Sequence, residues 1–261
     1  MKNVLYYHVY LADDTGSWTS MVLEQFKVIE DAGLFDALDK IRVTCITQDD
    51  SRTKNFLSLC ATYPVTFEIE VIKNTYSSDH DMMQGLNSER TITENFTYRK
   101  IYNDCQNEDV RVCYIHTKGI TAPLKLNSSN IQQFKNYYYW RQYLNWGVLE
   151  NWKACLSALI DHDVAGVNFY EHPSRHFSGN FWWANSSYIR KLPDPATLDW
   201  WKDLQSKTTD QWLKHASDRF RDEQWLCYPE NVKVYQVHEL KQSENPAASF
   251  FPRRRYVHEV Y

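Results

Sequence analysis

The order of residue patterns along the chain predicts an α/β fold: a mostly parallel central sheet flanked by helices, in a single domain. Three observations carry this. Over the first 115 residues, short runs rich in Val, Ile and Tyr alternate with stretches whose apolar residues recur at helical spacing, the pattern of successive βαβ units. No Pro-, Gly- or Ser-rich linker interrupts the chain, and no internal repeat is visible. A chain of 261 residues, 43% hydrophobic and 24% charged, is long enough to bury a full core without disulfides or a structural metal.

Val4-Leu5-Tyr6-Tyr7-His8-Val9-Tyr10 is a short β-rich run and predicts a buried first strand. Met21, Val22, Phe26, Ile29 and Leu34 then keep helical spacing, with Gly33 placed to end the helix. Ile41–Thr47 predicts the second strand, a helix follows near 52–62, and Phe67–Ile72 predicts the third strand. A helix over roughly 88–105 leads to a fourth strand, Val110–Ile115. The alternation implies a Rossmann-type sheet with ligands outside the carboxyl ends of its strands. In the second half, Gln133 to Ile160 predicts one long helix crowded with Tyr and Trp. Strands are expected at Val164–Phe169 and Asn180–Ala184, helices at 197–215 and 218–227, and a last strand near Val232–Val237. The tail with Pro252-Arg253-Arg254-Arg255 reads as a surface segment.

Composition narrows function. A net charge of −4 argues against a general nucleic-acid partner. No stretch approaches the ~20 apolar residues of a membrane-spanning helix, and the first residues do not read as a leader, so a cytoplasmic location is expected (a host cytoplasm if the source is viral). The six cysteines form no CxxC and are expected to be reduced, structural thiols. The sequons Asn95-Phe96-Thr97, Asn127-Ser128-Ser129 and Asn185-Ser186-Ser187 are expected to be chance matches. Aromatic residues make up 15%, including 10 Trp and 18 Tyr, more than packing demands, which suggests rings available for stacking on sugars or flat ligands. There is neither GxGxxG after the first strand nor GxxxxGK[ST] anywhere, so the common dinucleotide and P-loop sites are not expected.

Three clusters can carry chemistry, and each has a plainer structural reading. His116-Thr117-Lys118-Gly119 falls at the carboxyl end of the fourth strand, where Lys118 suits phosphate and Gly119 permits close backbone approach; it is otherwise an ordinary polar turn. Ser178-Gly179-Asn180-Phe181-Trp182-Trp183-Ala184 places backbone amides at a strand mouth, with one Trp available as a pocket wall; otherwise it is a hairpin before a core strand. Arg221-Asp222-Glu223-Gln224-Trp225 offers a carboxylate for general-base work, although paired acids on a helix usually form a solvated face. His238, at the end of the last strand, is the weakest signal.

In this order the clusters resemble GT-A nucleotide-sugar glycosyltransferases. Tyr114-Ile115-His116-Thr117-Lys118-Gly119, Trp140-Arg141 on the long helix, and the SGNFWWA segment are similar to rhamnan-synthesis-F-like proteins and to small transferases of bacterial polysaccharide loci and large DNA viruses. The resemblance covers about residues 1 to 240 and implies a GT-A-like domain with a nucleotide-binding half (1–119), an acceptor-side half (120–240) and a tail (241–261). It implies a nucleotide-sugar donor, an oligosaccharide or glycan acceptor and inverting transfer, with Glu223 as base and Asp222 in reserve. Donor-binding residues would be His8, Tyr10, Arg90, His116, Thr117, Lys118, Gly119 and His238. Acceptor-binding residues would be Trp140, Arg141, Ser178, Gly179, Asn180, Trp182 and Trp183. Such enzymes usually carry Asp-x-Asp where this chain has His116-Thr117-Lys118, so a divalent cation (Mn or Mg) is not favoured. If one binds, Asp79, Asp81 and His238 are the ligands to consider. The competing expectation is a non-catalytic glycan- or nucleotide-binding protein on the same fold.

Overall fold

The computed structural model describes residues 1–11, 17–73, 94–118, 131–216, 220–241 and 244–257. The strands of its central sheet are β1 (Lys2–Tyr10), β2 (Lys40–Thr47), β3 (Phe67–Lys73), β4 (Val110–His116), β5 (Val164–Gly166), β8 (Trp182–Asn185) and β9 (Val234–Gln236). They lie in the order β3-β2-β1-β4-β8-β5-β9. β1 to β4 pair in parallel, β8 is antiparallel to both β4 and β5, and β9 is parallel to β5, so β8 alone runs against the rest. A ribbon of β6 (Phe169–Tyr170) and β7 (His176–Phe177) stands beside the sheet. The predicted mostly parallel α/β architecture is therefore present, and one sheet runs through both halves of the chain.

β1 and β4 are buried on both faces, which is why their sequences are near-continuous apolar runs rather than alternating ones. β3 lies at the edge, and its Glu68, Glu70 and Lys73 suit a border strand that must not recruit another. The helices are α1 (Ser17–Asp31), α2 (Asp50–Cys60), α3 (Asn95–Asn107), α4 (Ile131–Asn145), α5 (Trp152–Ala158), α6 (Ser186–Ile189), α7 (Asp199–Lys207), α8 (Gln211–Lys214) and α9 (Arg221–Trp225). The far end of α3 is fixed by buried Arg42 on β2, whose guanidinium bonds Glu68 (2.7 Å), Asp104 (2.9 Å), Glu108 (2.6 Å) and the Tyr6 hydroxyl (2.8 Å).

The single long helix expected over Gln133–Ile160 is interrupted. A π turn, Trp146–Glu150, separates α4 from α5, and the Asn151 N–H bonds the Trp146 carbonyl at 3.0 Å. The turn lies at a close contact: a Cβ on Gly147 would collide with Val167 beside β5, so glycine is required where this turn presses on the sheet. The strand expected at Val164–Phe169 is split between β5 and β6, and the helix expected over 197–215 is split between α7 and α8. The tail is only partly a surface segment. Arg253, Arg254 and Arg255 are exposed, but Phe251 and Tyr256 are buried against Tyr143 of α4.

All six cysteines are buried free thiols, and burial pushes those of Cys45 and Cys60 up to about 12. The aromatic surplus is spent mainly inside. Trp182 and Trp183 point to opposite faces of β8, yet each is 0% exposed, because both faces of the sheet are covered. The expectation that one of them walls a pocket is not met. No helix of the described residues is long and apolar enough to cross a membrane.

Candidate functional site

The chain lays β2 and β3 on one side of β1 and then crosses to put β4 on the other. Strand order thus reverses at the β1–β4 seam, the place where open α/β sheets bind ligands beyond the carboxyl ends of their strands. His8 and His116 are direct partners across that seam. Because β8 runs the opposite way, the segment entering it, Ser178-Gly179-Asn180, arrives at the same rim. Gly179 (φ +88°) and Asn180 (φ +63°) are both left-handed. A Cβ on Gly179 would lie 2.6 Å from Leu144 and 2.9 Å from Trp140, so glycine is required there twice over.

The residue that organises this rim is Glu94, which the sequence did not single out. It immediately precedes α3 and accepts from the Tyr114 hydroxyl (2.8 Å) and the Asn180 amide (2.6 Å), while its other oxygen lies 3.0 Å from His116 Nδ1. His116 Nε2 is 3.0 Å from the Gly179 carbonyl. Both ring nitrogens of His116 are therefore engaged, one by the Glu94 carboxylate and one by the Gly179 carbonyl. Burial works to raise the Glu94 carboxyl, but His116, then Lys118 and His8, outweigh it and hold it well below the usual carboxylate range. Glu94 is thus the anion of the pair, at a helix N-terminus that favours it.

Buried polar residues of the first turn of α3 add to the network. Thr97 Oγ1 is 2.9 Å from His8 Nδ1, and the Asn180 amide also bonds the Tyr98 hydroxyl. Asn95 donates to the Pro195 carbonyl (3.0 Å) and to Asp222 (3.2 Å). Asn95 and Thr97 are 5% and 0% exposed, so their sequon is structural, in line with a chance match. Burial pushes the Tyr98 and Tyr114 hydroxyls well above their ordinary range, and they stay neutral, Tyr114 donating to Glu94 and Tyr98 accepting from Asn180.

Lys118 follows the β4 tip. Its ammonium lies 3.5 Å from Glu223 of α9 and 4.3 Å from the centre of the Trp140 ring. Asp222 and Glu223 part as adjacent helical residues should: Asp222 is buried beside Asn95 and Arg221, whereas the Glu223 side chain keeps 26% exposure at the rim. Arg141 gives both arms to Glu24 (2.8 and 3.0 Å) and bonds the Lys118 carbonyl (3.2 Å), so its charge is already matched. Thr117 Oγ1 accepts the Tyr10 N–H at 3.1 Å, which stitches β4 to β1. Ser178 is tied through its backbone to Asn168.

Of the expected site residues, the structure brings His8, His116, Thr117, Lys118, Gly179, Asn180, Trp140 and Glu223 to one rim. Trp182 lies beneath it, its indole N–H on Asn180 Oδ1 (3.1 Å). His238 sits in another neighbourhood, 3.0 Å from the Tyr143 hydroxyl and against the Trp146 ring. Asp79, Asp81, Arg90 and Gly119 lie outside the described residues. The β4 tip does not fit a divalent cation: both nitrogens of His116 are engaged and Lys118 is itself a cation. Among the described residues no group of three His, Cys, Asp or Glu could hold a metal ion.

His8 gives the rim a pH dependence. It is 7% exposed, and burial pushes its imidazole down to about 4, with Glu94 opposing and His116 reinforcing the shift. The unfolded chain takes up that proton near the ordinary value of 6.5, the folded chain only near 4. Stability held above the first value is therefore lost as pH falls toward the second, by roughly 3 kcal/mol. Urea melts at pH 7 and 4.5 should show the loss in the wild type and a smaller one in His8→Gln, which keeps a partner for Thr97. Equal losses in both would remove His8 as the source.

Among solved structures, the chain resembles 4-diphosphocytidyl-2C-methyl-D-erythritolsynthase from Anaerococcus prevotii, with TM-score 0.35 and 10% identity, over 97% of this chain and 94% of that one. It also resembles HddC from Yersinia pseudotuberculosis, with TM-score 0.36 and 14% identity, over 76% and 82% of the two chains. No curated protein matches. A family model described as a domain of unknown function, DUF8361, matches residues 6–228, from β1 to just beyond α9. That span takes in the whole rim, and the chain belongs to this family.

Proposed function

We propose that the protein is a glycosyltransferase that moves a sugar from a nucleotide-sugar donor to a glycan hydroxyl with inversion. The observation that carries the reading is the meeting of Lys118 and Glu223 at the strand-order reversal, a cation beside an accessible carboxylate. The likeness of the His116-Thr117-Lys118-Gly119 and Ser178–Ala184 segments to GT-A enzymes supports it. In the reaction the acceptor oxygen forms a bond to the anomeric carbon as the bond from that carbon to the phosphate oxygen breaks. Glu223 takes the acceptor proton, and the electron pair leaves with the nucleoside diphosphate, whose growing charge Lys118 offsets.

A screen of nucleotide sugars for hydrolysis or transfer tests this reading. Turnover of any donor supports an enzyme; binding without turnover would favour the non-catalytic alternative, which His116-Thr117-Lys118 in the place of Asp-x-Asp also favours. Lys118→Ala should weaken nucleoside diphosphate binding about 10- to 100-fold, from one charge-assisted contact of about 1.5–3 kcal/mol. Unchanged affinity by calorimetry would reject the assignment.

A further inference from the structure

We propose that Glu223 is an internal competitor for the donor's diphosphate: it occupies Lys118 in the empty site and is released to act as base only when the donor takes Lys118 over. The inference rests on the glycosyltransferase reading and concerns how the same rim is used. Glu223 Oε1 stands 3.5 Å from the ammonium, where a phosphate oxygen would stand. The pair is neither sealed nor open, with side chains 15% and 26% exposed.

Both partners hang from fixed backbone. The Lys118 N–H bonds the His116 carbonyl at 2.8 Å, and its own carbonyl is held by Arg141, which Glu24 clamps. On α9, the neighbours of Glu223 (Asp222, Gln224 and Trp225) are all buried. The two side chains can therefore change partners without any movement of the chain.

The exchange has a direction. A diphosphate carries more negative charge than a carboxylate and can meet more than one ammonium proton, so it displaces Glu223 from Lys118. The freed carboxylate then faces the acceptor with no cation to hold its lone pairs. This imposes an order in which the donor precedes productive acceptor binding. After transfer the pair re-forms as the nucleoside diphosphate leaves, which offsets part of the cost of losing that contact and favours release.

The test is calorimetry of the full chain with UDP, GDP, CDP, ADP and inorganic pyrophosphate. Removing the competitor should tighten binding: Glu223→Gln is expected to bind the preferred diphosphate roughly two- to fivefold more tightly than the wild type. The gain should vanish in the Lys118→Ala background, where the double variant matches Lys118→Ala alone. Glu223→Ala, checked for folding by its melting curve, should repeat the gain. If Lys118→Ala weakens binding while both Glu223 variants bind like the wild type or worse, the competition is refuted and the donor site stands. If Lys118→Ala binds every probe as the wild type does, the donor-site reading itself falls, and the inference with it.

Discussion

Glu223→Gln is expected to lower turnover by about 10²–10⁴-fold, the usual cost of removing a general base, while nucleoside diphosphate affinity does not fall. Glutamine keeps the shape and a hydrogen-bonding oxygen but cannot take up a proton. The structure also provides the comparison. Asp222 is 4% exposed and accepts from Asn95, so Asp222→Asn should act on stability rather than on the chemical step. Single-turnover rates with saturating donor separate the two. A dead Asp222→Asn beside an active, equally stable Glu223→Gln would reverse the assignment.

Glu94→Ala should be the most destabilising single change at the rim. It leaves His116 Nδ1, the Tyr114 hydroxyl and the Asn180 amide without their shared acceptor. Leaving a buried polar group without its partner costs about 1–3 kcal/mol, and several are left here. In a chain of this size that lowers the melting midpoint by roughly 10 °C. Glu94→Gln is the informative companion. Its oxygen can still accept from Tyr114 and Asn180, and its amide still faces His116 Nδ1, so much of the loss should return. A wild-type-like melting curve for Glu94→Ala would show that the network contributes little.

Much of the fold is written in local pattern. β1, β2 and β4 are legible because central parallel strands must be apolar on both faces, and the turn residues between elements are polar. The β4 tip is legible for the same reason: His116, Thr117 and Lys118 end an apolar run where the topology places ligands. Glu223 over Asp222 follows from helical geometry once one of them is known to face the rim. Glu94 was not legible. Nothing next to it in the chain marks it, and its importance comes from Tyr114, His116 and Asn180, all at least 20 residues away. A polar face of Glu94, Asn95, Thr97 and Tyr98 at a helix start was the available signal. The break after Asn145 is not visible in the local pattern, and the tight packing there sets Gly147 against Val167, 20 residues further along the chain. Trp182 and Trp183 misled because alternation reveals that two rings part, but not that a sheet continues to cover both.

The burial of the indoles also decides what the protein's own light can report. Seven of the ten tryptophans lie in the interior, while Trp212 is 51% exposed at the periphery. Ultraviolet emission from the folded chain is therefore dominated by shielded fluorophores, and a collisional quencher in solution meets Trp212 far more readily than the sheet. Trp140 is different in kind, because its ring lies under the Lys118 ammonium. When that ammonium changes partner, the field across this one chromophore changes with it. A shift in Trp140 emission on adding nucleoside diphosphate is therefore expected of the proposed exchange, with no label attached.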